Sequence, residues 1–251
     1  MKYFETAIKA IIPAMLVFII PCRVSGQLLD SAALTKQKLY TSVEEALANP
    51  SDVYRLSLKK QKLTEIPAAV FELKNLQELD LSHNKITRIP SNVGQLQYLQ
   101  LLNFSDNKID TVPAVIGLLI HLRSLNLSRN KLKSLFPEIG KLTLLRYLDV
   151  SDNDLHALPS GIGNLVNLKN LILSRNRIDS LPPEIGNMIS LYYLDLWGNN
   201  VSQFPAEISK LKYTLKYIDM RVIALRPEYQ DAINQLLPDT EIYFSTGCNC
   251  N

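Results

Sequence analysis

The apolar positions of this chain recur with a long fixed period. The stretch Leu122–Leu132 has leucine at positions 1, 4, 6 and 11 and asparagine at position 9, and this frame returns every 23 residues, with a last copy after a slip of one. Positions 4 and 6 lie two apart, which predicts a short strand with both side chains on one face. One copy cannot bury its apolar side alone, so stacked copies must share a core. The copies begin at Val53, Leu76, Leu99, Leu122, Leu145, Leu168, Leu191 and Leu215.

Polar and turn-forming residues keep the same frame. Position 9 is Gln61 in the first copy and asparagine in the next six. Asparagine has two donor hydrogens and an acceptor on a short arm, so a column of asparagines predicts pairing of backbone groups inside the stack. Proline follows the apolar residue at position 14 in nearly every copy, and glycine recurs four residues after it. These residues predict an outer turn rather than a second strand.

The two halves of the frame, Leu-x-x-Leu-x-Leu-x-x-Asn-x-Leu and Leu-Pro-x-x-Ile-Gly-x-Leu-x-x-Leu, resemble the leucine-rich repeat family over residues 53–225. Within that family the repeat motif is similar to those of bacterial surface or secreted proteins and of plant intracellular proteins. The resemblance implies an α/β solenoid, which is a right-handed horseshoe. Its parallel β-sheet is concave, and its convex side has short helical or irregular segments. The resemblance also implies binding of a protein partner.

The flanks of the solenoid predict a helical cap at each end. Residues 27–52 form the N-terminal cap, in which Ser42 and Glu45 fit a capping box. Residues 53–225 hold seven full repeats and one degenerate repeat. Residues 226–251 form the C-terminal cap, with a helix opened by Pro227, a strand, and a cysteine-containing tail. Caps are expected because an open stack end exposes apolar surface and an unpaired strand edge.

Residues 1–26 have the pattern of a cleaved export signal. The apolar run 10–20 is followed by small residues before Gln27. This run is shorter than the roughly 20 residues of a membrane span, so we expect no span in the mature chain. A retained anchor is the alternative, and Pro21 argues against lipid attachment at Cys22. The chain is therefore expected to be secreted or to lie at the cell surface or in the periplasm.

Charge and histidine content exclude several function classes. The 251 residues hold 27 basic and 24 acidic side chains, and residues 1–26 contain three of the basic and one of the acidic ones. The mature chain is then close to neutral, which predicts no nucleic-acid partner. Only three histidines are present, and metalloprotease, nucleophile-elbow and phosphate-loop motifs are absent from the sequence. We therefore expect no enzyme activity, no cofactor and no metal.

The tail carries Cys248 and Cys250. In an exported chain the two thiols can pair with each other, pair between chains, or stay reduced. A monomer is the expected state. A disulfide-linked dimer through either cysteine is the sharper hypothesis.

The outward positions 3, 5, 7 and 8 predict the concave binding face. Position 7 is serine from the second to the sixth copy and becomes Trp197, the only tryptophan, in the seventh. Aromatic side chains anchor many interfaces, so a partner site is predicted around this break. Alternatively, the rings only cover the end of the solenoid, with Trp197 packed on Arg221. The predicted site consists of Tyr147, Ile172, Tyr193, Asp195, Trp197 and Tyr217.

Basic side chains also follow one rim, at positions 8 and 10 of the frame. They indicate either an anionic partner or a solvated ridge, and interspersed aspartates favour the ridge. The function predicted from the whole sequence is that of an exported, non-enzymatic module that binds a protein. A structural or adhesive spacer and a glycan-binding protein are the alternatives. The rim residues are Lys60, Lys62, Lys85, Lys108, Arg129, Lys131, Arg175 and Arg177.

Overall fold

The computed structural model describes residues 28–223 and 225–245. Ten strands in this part of the chain form one open sheet, each strand parallel to its neighbours and in chain order from β1 to β10. The predicted export signal and the cysteines of the tail lie outside the described residues. The strands are β1 Leu39–Tyr40, β2 Arg55–Ser57, β3 Glu78–Asp80, β4 Leu101–Asn103, β5 Ser124–Asn126, β6 Tyr147–Asp149, β7 Asn170–Ile172, β8 Tyr193–Asp195, β9 Tyr217–Met220 and β10 Glu241–Phe244.

The far side of each coil is a short 3₁₀ helix. In the repeats, each begins beside the proline that follows position 14, because proline fixes the backbone angle and needs no hydrogen-bond acceptor. The leucine-rich solenoid with its parallel sheet and short convex helices is confirmed. The 3₁₀ helices are Pro50–Asp52, Ala68–Glu72, Ser91–Gln95, Ala114–Leu118, Pro137–Lys141, Ser160–Asn164, Pro183–Asn187 and Ala206–Leu211.

The core lies between the sheet and these helices. From β2 to β8 each strand covers positions 3–5 of its repeat, so position 4 points inward; Leu125 is 1% exposed. Leu127 at position 6 and Ile139 on the convex side are fully buried. A fully buried side chain of this size contributes about 1.5–3 kcal/mol of transfer free energy. Repetition of these positions makes one continuous apolar cluster from Tyr40 to Leu237.

The predicted asparagine column is present and has the expected role. The amide nitrogen of Asn130 donates to the carbonyl oxygens of Phe104, Leu127 and Ser128 at 3.0–3.1 Å. Its side-chain oxygen accepts from the N–H of Ile109 at 3.0 Å. Each such asparagine thus joins its own turn to the preceding repeat and pairs backbone groups that the stack hides from water.

At the N-terminal end, the cap contains two helices, α1 Ser31–Thr35 and α2 Val43–Leu47, and the strand β1, which the sequence reading did not predict. The N–H of Glu45 donates to the Ser42 hydroxyl at 3.1 Å. The Glu45 carboxylate does not complete a two-way capping box but lies 2.7 Å from Lys38. Ala46 of α2 is fully buried against the first coil.

At the C-terminal end, helix α3 (Pro227–Leu236) buries Ile233 against the last coil. The strand β10 then adds to β9, with Glu241 opposite Tyr217. None of the helices in the described ranges is long and apolar enough to cross a membrane.

Candidate functional site

The six residues predicted for the partner site lie on or beside four adjacent strands, β6 to β9. Position 3 places Tyr147, Tyr193 and Tyr217 in one row, with Asn170 between the first two. Position 5 places Asp149, Ile172, Asp195 and Asp219 in the next row. Tyr147, Ile172, Tyr193, Asp195, Trp197 and Tyr217 are all half-buried, so each presents part of its side chain to solvent. The register therefore brings the predicted residues together on one surface, called here the ring face.

Strand β10 extends the ring face beyond the predicted residues. Tyr243 stands opposite Asp219 and donates a hydrogen bond from its hydroxyl to Glu241 at 2.7 Å. Both side chains are exposed. The sequence predicted only a capping role for this strand. The signal that it also contributes to the face was the alternation of polar and apolar residues from Glu241 to Phe244.

Position 5 also has a structural role that the sequence reading missed. The Asp195 side chain accepts a hydrogen bond from the Trp197 N–H at 3.0 Å, and the aspartate or asparagine of other repeats accepts the same bond from its own position 7. Ile172 cannot accept one, and the Ser174 side chain instead hydrogen-bonds to Asp195 on the next strand. Asp195 therefore fixes the turn that carries Trp197, in addition to any contact it makes with a partner.

The ring face is partly shielded from water, and this changes its acid–base behaviour. Burial and, to a smaller extent, the nearby Asp149 carboxylate raise the pKa of Tyr147 to about 12. Burial also raises the pKa of Tyr193 and that of Asp195, with the neighbouring carboxylates adding to both shifts. A charge in such surroundings loses hydration, so its neutral form is favoured. At neutral pH the face therefore offers tyrosine hydroxyls as hydrogen-bond donors.

The cation that stacks on Trp197 is Arg175 rather than the Arg221 of the capping alternative. The guanidinium carbon of Arg175, from the preceding repeat, lies 4.4 Å from the centre of the indole ring. Arg175 is itself 3.3 Å from Asp152. A cation over the ring face is attracted by the ring quadrupole, which contributes about 0.5–1 kcal/mol at an exposed site. Trp197 is thus held by the body of the solenoid rather than by its end.

Arg221 is paired with Asp219, and this pair predicts an acid-dependent stability. Burial acts to raise the pKa of Asp219, but hydrogen bonds from the side chain and backbone of Arg221 outweigh it and hold the pKa below its ordinary value. A lowered folded-state pKa stabilises the fold above the unfolded-state value of about 3.9, and the effect is lost as pH falls. We expect Arg221→Gln to lower the free energy of unfolding at pH 7, and because the arginine is largely exposed and screened by water, the decrease should be small.

The measurement is a denaturant titration of both proteins at pH 7 and pH 3. The difference between them should begin to shrink as the pH falls below the ordinary aspartate value of about 3.9, and it is lost as the pH passes through the lowered pKa of Asp219 in the folded protein. A constant difference across this range would show that the effect of Arg221 does not depend on that charge.

Tyr192 is a further ring at the margin of the ring face that the sequence reading missed. Its ring centre lies 5.4 Å from that of Tyr217, at an interplanar angle of 67°. A hydrogen bond with Tyr192, and the negative charge that Tyr192 has when it ionises, raise the pKa of Tyr217. Tyr192 precedes β8, at position 2 of the repeat, which the sequence reading did not consider as a binding position.

On the basic rim, several side chains are neutralised by acids of neighbouring repeats. Arg177 lies 2.8 Å from Asp154, and Arg129 lies 4.0 Å from Asp106. These pairs and that of Arg175 favour the solvated ridge. The lysines at position 10 of the first four copies have no ion pair within the described ranges. They are Lys62, Lys85, Lys108 and Lys131.

No group of three or more histidine, cysteine, aspartate or glutamate side chains within the described residues is placed to hold a metal ion. The chemistry that the ring face does offer is that of recognition. It combines flat rings, hydroxyl donors and carboxylate acceptors on strands whose backbone groups already bond to each other.

Comparison with protein-family models gives matches over much of the chain. The model described as "Leucine rich repeat" matches residues 51–109, and one described as "Leucine Rich repeats (2 copies)" matches residues 166–213. A single-repeat model matches residues 121–142 and 144–165. A search of curated proteins gave no match.

Several solved structures have the same fold. A leucine-rich repeat protein of Leptospira interrogans is 33% identical and aligns with a TM-score of 0.72 over 84% of this chain, which spans 59% of the length of that protein. Internalin C2 of Listeria monocytogenes is 20% identical, with a TM-score of 0.67, and 79% of this chain aligns with 83% of it. A third structure is the leucine-rich repeat ectodomain of the receptor kinase GASSHO1/SCHENGEN3 of Arabidopsis thaliana, solved in complex with Casparian strip integrity factor 2. It is 24% identical to this chain and aligns with a TM-score of 0.57. The alignment covers 82% of this chain and 28% of the ectodomain chain.

Proposed function

Because this chain belongs to the leucine-rich repeat family, we propose that it is an exported, non-enzymatic module that binds a protein partner through the ring face. Members of the family generally act in protein–protein interaction. The export part of the proposal rests on the pattern of residues 1–26. The location of the site rests on the side chains of β6 to β9.

The observation that carries the proposal is the change of residue type along the sheet. In the middle of the sheet the outward residues are small and polar, as at Ser124 and Asn126 on β5. From β6 to β9, position 3 is a tyrosine on every strand except β7, and at position 7 Trp197 replaces the serine of earlier copies. Half-buried rings in a fixed position give up little conformational freedom on binding and cover a large area, which is why they anchor interfaces.

The surrounding structure supports recognition by side chains. Each interior strand is hydrogen-bonded on both sides, so a partner gains little from main-chain contact at this face. Trp197 is pre-positioned by the Asp195 hydrogen bond and by Arg175. Four strands spaced by about 4.8 Å give a patch roughly 15–20 Å wide, the scale of an interface centre.

The test is affinity capture with the purified chain from residue 27 onward, using cell-surface and extracellular extracts. The double variant Tyr193→Ser, Trp197→Ser removes two central rings without changing charge. We expect its affinity for the captured protein to be more than about tenfold weaker, since such anchors each contribute about 1–2 kcal/mol or more to the free energy of binding. Asp195 is left intact because its loss would also disturb the turn.

The matched control is Leu101→Ser, a half-buried position 3 residue on β4 of the same sheet. It should keep wild-type capture. Equal loss by the control and the double variant would mean that general destabilisation, rather than the rings, explains the result, and thermal melting of all three proteins checks this. Equal capture by the double variant would move the site away from the ring face, and no capture by the wild type would favour the spacer function. A partner captured only from an intracellular extract, tested in parallel, would contradict export.

A further inference from the structure

A second surface lies at the edge of the sheet where the strands begin. Position 2 of the fourth, fifth, sixth and eighth copies is basic, with Tyr192 in the seventh. The backbone N–H of each of these residues after the first donates to the carbonyl of the one before it, at 2.8–2.9 Å. The cations therefore stand side by side on adjacent coils. This strand-start row consists of Arg123, Arg146, Lys169 and Lys216.

The row is not neutralised by the protein. Within the described ranges none of its four cations forms an ion pair, whereas Arg175 and Arg177 on the opposite rim each pair with an aspartate. Adjacent strands lie about 4.8 Å apart, so the first three cations repel one another at close range. A bound anion would remove that repulsion, and all four side chains are exposed or half-buried.

The N-terminal part of the same edge is already covered. At position 2 of the second and third copies, Gln77 and Gln100 are buried, at 0% and 2% exposure. The Leu29 N–H donates to Gln77 at 2.9 Å, and Gln100 donates to the Leu29 carbonyl at 2.7 Å. Backbone from before α1 thus lies across this edge, and the charged row begins in the next repeat, Arg123.

The row ends in a groove of about 630 Å³ that contains no acidic side chain. Tyr213 is 70% exposed and has the Lys212 ammonium 4.9 Å from its ring centre, and Tyr192 is 46% exposed. Rings with this exposure offer flat apolar faces, while the serine and asparagine of the lining offer hydrogen bonds. The lining includes Lys169, Asn170, Ser190, Tyr192, Tyr213 and Lys216.

We propose that the strand-start row and its groove bind an anionic polysaccharide, whose sulfate or carboxylate groups contact the four cations and whose sugar rings lie on the two tyrosines. An acidic peptide fits less well. The backbone N–H and carbonyl groups of position 2 are already bonded between repeats, so a peptide strand gains no main-chain pairing there. A polysaccharide relies on charge and ring contacts, and these are what the edge provides. This surface adjoins the ring face at Asn170 and Tyr192. The variants that test it change Arg146, Lys169 and Tyr213, which lie outside the ring face, so the test does not depend on that proposal.

The test measures binding of a heparin oligosaccharide to the purified chain by calorimetry at low and physiological salt. We expect Arg146→Gln, Lys169→Gln to weaken binding about tenfold, the order expected when two of four cation contacts to a polyanion are lost. Lys85→Gln, Lys108→Gln is the matched control. It removes the same charge from two adjacent copies on the opposite rim, where neither lysine is paired.

A second variant tests the contacts of the sugar rings separately from those of the charged groups. Tyr213→Ser should weaken heparin binding severalfold and leave binding of a poly-glutamate peptide unchanged, and its exposed side chain makes unfolding an improbable cause. The proposal is overturned if the opposite-rim control weakens heparin as much as the row variant, because binding is then general charge attraction. It is also overturned if heparin does not bind, or if poly-glutamate binds as tightly as heparin, which would indicate an acidic protein partner.

Discussion

Gly163→Ala is expected to reduce the free energy of unfolding by about 3 kcal/mol, although it adds a single methyl group. Gly163 lies in the 3₁₀ helix Ser160–Asn164 and packs against the next repeat. A Cβ at this position would stand 2.5 Å from the carbonyl oxygen of Glu184 and 2.7 Å from its Cβ. Backbone atoms cannot rotate out of the way, so the two coils must separate. Denaturant titration of both proteins measures the change.

Gly94 provides a matched control because it has the same place in an earlier repeat. The nearest atoms to a Cβ there, which belong to Val115 and Leu118, are at 3.4 Å. We expect Gly94→Ala to change the stability by less than about 1 kcal/mol, with reduced freedom of the unfolded chain offsetting small packing shifts. Similar losses at the two glycines would show that the spacing of the convex helices is uniform along the solenoid, contrary to the structure.

Asn130→Ala is the second large effect, also about 3 kcal/mol. The substitution leaves the Ile109 N–H without the acceptor that the structure provides, and it removes a donor from three carbonyl oxygens. An unsatisfied buried polar group costs about 1–3 kcal/mol. Each of the three carbonyls keeps another donor: Leu127 that of Asn153, Phe104 that of Asn107, and Ser128 the backbone N–H of Asp106. This sharing limits the loss.

Two further variants identify the cause of that loss. Asn130→Asp keeps the shape but replaces the donor with a carboxylate oxygen facing three carbonyls, so we expect it to be at least as destabilising as alanine at pH 7. Asn200→Ala, at an exposed asparagine whose side chain forms no hydrogen bond with the described residues, should be nearly neutral. If Asn130→Asp retained wild-type stability, the column would act through packing rather than through its donors.

The candidate site was only partly predictable from the sequence. Counting positions within the repeat placed Tyr193, Trp197 and Tyr217 on one surface, because side chains alternate along a strand. The repeat pattern predicted that the Asp195 side chain is available to a partner. In the structure this side chain also accepts the hydrogen bond that fixes the turn of Trp197. The capping alternative paired that tryptophan with Arg221, whereas the structure pairs it with Arg175. Position 2 was not considered, and the strand-start row therefore went unnoticed.

The residue types of one repeat were enough to predict the period, the strands of the repeats, the asparagine column and the convex turns. These features depend on the residue types within one copy, and repetition makes each copy support the same assignment. Which side chains meet across neighbouring copies became visible only in the folded chain. An added Cβ would clash at Gly163 but not at Gly94, because the distance between successive convex helices differs along the stack. The covered edge at Gln100 and the bare edge at Arg123 differ because Leu29 lies across only one of them. Such contacts join residues one repeat or more apart, so they follow from the stacking geometry, which a repeat pattern does not specify.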